Sequence, residues 1–230
     1  MAPIFEWNKL FDTGLKETDR QHQHLLNPIN SFGETLANNR LNEADVVNIY
    51  HELVDYARYH FEEEERLMVR FHVDSRHVEQ HTRMYQSFIA EVGHLYQNYH
   101  YNQQEGGSGL FHFLLNWLAY HIMGTDMSMA RQLQAIDSGT CPQAAFEEEG
   151  RHGAEMLHKH IASLLIPAGE GFWQGSVSIG VAVRQTEMKS IDDLIKAADR
   201  SLYAAKAAGR NCVRIKCGTF PSYTEQTGHI

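Results

Sequence analysis

Seven side chains able to ligate a metal recur along the chain at spacings that fit helices: His22, His60 with Glu64, His77 with His81, and His121 with Asp126. Two of these pairs lie four residues apart, so each pair projects from one face of one helix. The seven fall on four successive helical segments, and such ligands can meet only if those segments face one another across a shared core. Imidazole nitrogens with carboxylate oxygens suit first-row transition metals.

The 230 residues fit one to two domains, and 43% hydrophobic with 21% charged residues is ordinary for a soluble protein with a sizeable core. A net charge of −9 argues against nucleic acid as a partner and suits a free cytoplasmic protein. Residues 1–10 have no apolar signal core, and the apolar stretch 110–123 is short and broken by His112, Asn116 and His121. No membrane span is therefore expected. Cys141, Cys212 and Cys217 offer neither a disulfide framework nor a zinc signature, and read as reduced thiols.

Residues 1–136 read as a helical bundle. A first helix is expected over 19–38 with Thr18 as cap and a kink at Pro28, and a second over 42–71 capped by Asn42. In the second, Val46, Ile49, Leu53, Tyr56, Tyr59 and Leu67 recur at helical spacing. A third helix is expected over 75–102. The glycines at 106, 107 and 109 predict a break before a fourth helix, 110–123, which Gly124 interrupts. Short connections make an antiparallel four-helix bundle the economical topology. Residues 137–152 read as a linker or the start of another helix. Beyond them the pattern turns α/β: a helix over 154–165, strand alternation from Val177 to Val183, an amphipathic helix over 191–208 and a short strand over 212–215.

The segments Asp19-Arg20-Gln21-His22, His60-Phe61-Glu62-Glu63-Glu64, His77 to His81 and Trp117 to His121 to Asp126, in this order, resemble bacterial hemerythrin over about the first 135 residues. The resemblance implies two non-heme iron ions joined by an oxo or hydroxo bridge. It implies that His77, His81 and His121 hold one iron, that His22 and His60 hold the other, and that Glu64 and Asp126 bridge both. Counting ligands then leaves the second iron one short, which is where dioxygen would bind. The sequence leaves dioxygen and nitric oxide both open as the ligand, and a homodimer as one assembly. His24, His51, His72, His94, His100 and His112 read as packed or surface histidines, and Glu62 to Glu65 as a solvated face apart from Glu64. Phe61, Trp117 and Met68 read as core, with Phe61 and Trp117 also walling the pocket. A ferritin-like site would need Glu-x-x-His on two helices, and within the bundle only Glu91 to His94 offers one.

Val177-Ser178-Ile179-Gly180-Val181-Ala182 and Ala198 to Asn211 resemble the closing part of a GGDEF domain, a family that makes cyclic di-GMP from two GTP. In that family, basic residues matching Lys206 and Arg210 contact phosphates; here they also read as exposed charges at a helix end. No Gly-Gly-Asp/Glu-Glu-Phe stretch occurs in the chain, and no first strand with its metal-binding aspartate. Phosphoryl transfer needs metal ions and a phosphate cradle, so the expectation is a truncated output segment over 153–217, a tail over 218–230 and no enzyme activity. The function expected is an oxygen-binding sensor or store. The alternatives are an oxygen-regulated diguanylate cyclase and a regulator that acts by protein contact.

Overall fold

In the computed structural model, which describes residues 5–215 apart from 39, 41, 102, 165, 170, 174 and 186, the chain divides into two units, Met1–Phe146 and Glu147–Ile230. The protein is mainly α-helical, as its patterning predicts. The expected tail and Cys217 lie outside the described residues.

The first unit is built on α1 (Lys16–Ala37), α2 (Glu43–Arg70), α3 (Ser75–Tyr101) and α4 (Gln103–Tyr120). Each packs on the next, and α1 closes on α4. The α1 helix starts at Lys16, with Leu15 rather than Thr18 at the cap position, and it carries Pro28 inside. Asp19 holds the preceding loop by accepting from the Thr13 backbone N–H and hydroxyl, both at 2.8 Å. At α2 the Asn42 side chain accepts from Asp45 N–H while the Asp45 carboxylate accepts from Asn42 N–H, a reciprocal capping box.

The glycine-rich stretch expected to break the chain is helical instead, because α4 already begins at Gln103. The physical reason lies at Gly106, where an added Cβ would sit 2.6 Å from Tyr99 Cα. Glycine there permits a backbone approach between α3 and α4 that any side chain would block. The second expected break, at Gly124, is also not one. The chain widens into a π-helix over His121–Asp126 and continues as α5 (Met127–Asp137).

The buried apolar residues form two clusters. One gathers Leu25, Ile29, Phe32, Leu53, Phe61, Phe88, Leu114, Leu118 and Ile122, and the other gathers Met68, Val73, Met129 and Leu133. Along α2, Glu64 falls between Phe61 of the first cluster and Met68 of the second. Where the π-helix runs into α5, Asp126 falls between Ile122 of the first cluster and Met129 of the second. The candidate ligands thus lie between the two apolar clusters, with Thr18, Gln21 and Gln132 as further buried polar residues.

From residue 142 the stretch expected as linker or helix start is helical: α6 spans Pro142–Ser163. In the second unit, β1 (Ile166–Ala168) pairs antiparallel with β2 (Gly171–Trp173), a hairpin the patterning did not suggest. Strand β3 (Ile179–Val181) pairs parallel with β4 (Val213–Ile215), and α7 (Ile191–Ala207) makes the crossover and packs on both. This is a βαβ unit, the connection that parallel strands require. At Gly180 a Cβ would meet Leu202 N at 2.2 Å and Ala198 O at 2.4 Å, so α7 lies directly on the strand backbone. Among the described residues no helix is long and apolar enough to cross a membrane.

Candidate metal centre

Four helical segments supply the set. His22 comes from α1, His60 and Glu64 from α2, His77 and His81 from α3, and His121 and Asp126 from the π-helical segment. The last pair is five residues apart, a spacing that an α-helix would splay. A π turn closes i to i+5, so the widened helix returns both side chains to one face. His121 Nε2 accordingly lies 3.2 Å from Asp126 Oδ2.

All seven residues are buried. Ligand atoms of His22, His60, Glu64, His121 and Asp126 all lie within 4.8 Å of one another. His22 Nε2 is 2.9 Å from Asp126 Oδ2, and His60 Nε2 is 3.3 Å from Glu64 Oε2. His81 joins this group through Glu64 Oε2, at 2.9 Å from its Nε2. His77 stands outside it: its Nδ1 lies 3.0 Å from Gln132 Nε2, and its buried Nε2 has no hydrogen-bond partner.

Burial dominates the electrostatics. Desolvation brings His60 and His77 down to about 4, and it lowers His22 as well. His121 is held well below the ordinary imidazole value by burial and by the neighbouring imidazoles of His60, His22 and His81. Asp126 is pushed well above the carboxylate range by burial. Neutral imidazole is the form that ligates a metal, so these rings need no deprotonation at neutral pH. All but His60 of the seven leave a buried nitrogen or oxygen without a hydrogen bond. Uncompensated polar atoms of this kind are costly in a core, and a cation among them would satisfy several at once. The donor set therefore fits iron.

Aromatic rings wall the cluster. Trp117 stacks on His121 with centroids 4.5 Å apart, and Phe61 lies 4.9 Å from both His81 and His121. Trp7 approaches His22 at 6.3 Å. Phe61 and Met68 are core residues, and the expected surface histidines His24, His51, His72, His94 and His112 are exposed. The His100 side chain lies outside those described. Glu64 is buried while Glu62 is exposed and Glu63 and Glu65 are half-buried.

Gln21 and Gln132 were missed. Each is a polar residue at a buried register, Gln21 among Thr18, His22 and Leu25, and Gln132 among Met129 and Leu133. That misfit was the available signal. In the second unit Lys206 and Arg210 are both exposed, and Asn211 Oδ1 lies 2.9 Å from His158 Nε2.

A buried imidazole–carboxylate cluster inside a helical bundle defines a metal-binding class, and the comparisons with known proteins narrow it. The model of the hemerythrin HHE cation binding domain matches residues 13–133, more than half of the chain, which therefore belongs to the hemerythrin HHE family. Relatives include the bacteriohemerythrin of Clostridium acetobutylicum, 27% identical over 126 residues, which cover 54% of this chain and 96% of that protein. The bacteriohemerythrin of Stenotrophomonas maltophilia is 28% identical over 135 residues, covering 57% and 83%. A second model, the diguanylate cyclase GGDEF domain, matches residues 143–212. This match corrects the expectation that the chain is not an enzyme, because it shows residues 143–212 to be similar to a cyclase domain.

Proposed function

We propose that the bundle, residues 1–136, is an oxygen-binding input module holding two non-heme irons, and that the segment 153–217 is the output it serves. The observation that carries this reading is the convergence of five buried ligand residues from three of the bundle's helical segments, with atoms within 4.8 Å of one another. In this reading His22, His60, Glu64, His77, His81, His121 and Asp126 are the ligands, and the two carboxylates bridge. A bridged iron pair would supply reversible dioxygen binding. The protein's own residues do the rest: burial keeps His22, His60, His77 and His121 neutral, while Phe61, Trp117, Leu118 and Ile122 keep bulk water from the cluster. The relatives' printed name, bacteriohemerythrin, supports iron and oxygen as the cargo.

Iron analysis and absorption spectra of the purified chain, first anaerobic and then in air, test the reading. Paired iron and a band that appears with air and leaves on deoxygenation are expected. Protein without paired iron would overturn it. Nitric oxide added in a parallel series identifies which gas binds more tightly.

The match over 143–212 favours a further reading, oxygen-regulated synthesis of cyclic di-GMP. Its test is GTP turnover by the same preparation with and without oxygen. Equal rates in the two atmospheres would separate storage from sensing.

A further inference from the structure

Two glutamines sit against the candidate ligands, Gln21 on α1 and Gln132 on α5, each only 1% exposed. A carboxamide has two donors on nitrogen and an acceptor oxygen, and a buried one left unpaired is costly. What each bonds is therefore informative.

Gln21 Nε2 donates to Glu17 Oε1 at 3.2 Å, and its Oε1 lies 2.9 Å from His60 Nδ1. A carboxylate only accepts, so Glu17 fixes which end of the amide faces inward. The inward oxygen also only accepts, so His60 must carry its proton on Nδ1. Its Nε2 then keeps a lone pair, and this is the atom 3.3 Å from Glu64 Oε2 and 3.2 Å from His121 Nε2.

Gln132 is arranged the other way. Its Nε2 lies 3.0 Å from His77 Nδ1 and 3.3 Å from Ser128 Oγ, while Gln132 Oε1 and His77 Nε2 are buried without hydrogen-bond partners. In this arrangement Nδ1 accepts, and the ring proton sits on Nε2. A half-turn of the amide would let Oε1 accept from Nδ1–H and from the Ser128 hydroxyl, freeing the Nε2 lone pair. A hydroxyl can donate or accept, so Ser128 tolerates both arrangements.

We propose that Gln21 and Gln132 are positioning residues of the site: Gln21 locks His60 in the tautomer that can ligate, and Gln132 turns its amide to bring His77 into that tautomer. This rests on the di-iron reading, in which the two histidines serve different irons.

The test uses the full chain. Nitrogen-15 NMR of the metal-free protein should find the His60 proton on Nδ1 and the His77 proton on Nε2. Zinc, a diamagnetic probe, should move the His77 proton to Nδ1. Gln21→Met and Gln132→Met keep the volume and remove the acceptor. Each should weaken retention of ferrous iron against a chelator by about 10–100-fold. Gln21→Glu and Gln132→Glu restore an acceptor and should recover most of it. A wild-type His60 protonated on Nε2, or methionine variants that hold iron like wild type, would overturn the proposal. Should a methionine variant fail to fold, the glutamate variants and the wild-type tautomers decide. Failure of the di-iron reading is separable: the wild type would take up no paired iron while His60 kept its Nδ1 proton.

Discussion

The two units solve the same packing problem with opposite materials. In the bundle, the stripe that buries Leu25, Phe61 and Ile122 also buries His22, His60 and His121, so groups that water solvates well are held in the core. In the βαβ unit, β3 and α7 meet through Gly180, with Ala197, Ser201 and Ala205 buried on the helix. There the constraint is steric and close to binary, since a single added carbon collides with backbone. The bundle's constraint is electrostatic and graded, because protonation state and a bound cation set its size. An apolar core of equal volume would be more stable than the metal-free bundle, so the buried cluster reads as selected for binding.

The largest expected effect removes a carboxylate proposed to bridge. Glu64→Ala or Asp126→Ala should abolish the paired iron while the helical content of the protein persists. Metal analysis with far-ultraviolet circular dichroism checks both halves of that statement. A variant that still binds two irons per chain would show that the carboxylate is not a bridge and that the core tolerates it for another reason.

Gly180→Val comes next. Its Cβ would lie 2.2 Å from Leu202 N, and backbone cannot yield as a flexible side chain can. The cost should be about 3 kcal/mol or more, read as lost hydrogen-exchange protection of α7 amides. Iron binding should be unchanged. Intact protection of α7 would mean that the helix does not lie on the strand as described.

Much of the bundle was legible because helical period and ligand identity report on the same faces. The 60/64 and 77/81 pairs showed both where helices run and which side faces inward, and Asn42 marked where α2 begins. The glycine stretch misled for a definite reason. Glycine signals a turn when only the local backbone is considered, yet Gly106 is there for the neighbouring helix, and that contact is not written nearby in the chain. The π segment was hidden similarly. A five-residue spacing between His121 and Asp126 fits no α-helical face, so it looked like an interruption at Gly124 rather than a wider turn. Gln21 and Gln132 carried a signal in their register, but a lone polar residue in an apolar stripe does not announce its partner.

A third test sharpens the electrostatic half of the comparison. In the metal-free protein, burial penalises the charged forms of His60 and His77 and lowers both to about 4. In the unfolded chain they titrate at the ordinary value of about 6.5. Above that value both states hold the rings neutral, and the stability is fully present. As pH falls through it, the unfolded chain takes up protons that the folded one refuses, so stability is lost from about 6.5 down to about 4, by about 3 kcal/mol for each ring. Asp126 works in the opposite sense, since its raised value lets the folded state bind a proton earlier, and it offsets part of the loss. Denaturant midpoints of metal-free protein measured across this window should fall with pH. A flat profile would mean that the histidines are solvated.

The smallest effects come from the two capping boxes, and they compare the units on equal terms. Asn42 starts α2 and Ser190 starts α7, each paired with an aspartate three residues on. Ser190 Oγ accepts from Asp193 N–H at 3.2 Å, as Asn42 Oδ1 does from Asp45 N–H at 3.0 Å. Replacing either cap by Ala should cost about 1 kcal/mol, read from exchange of amides in the helix concerned. The α2 helix is anchored by a long buried stripe from Val46 to Met68, whereas α7 buries only three small residues. Equal local costs should therefore open the first turn of α2 alone but fray α7 further along its length. If exchange in α2 spreads as far as in α7, burial does not control how a lost cap propagates, and the contrast between the two units fails at that point.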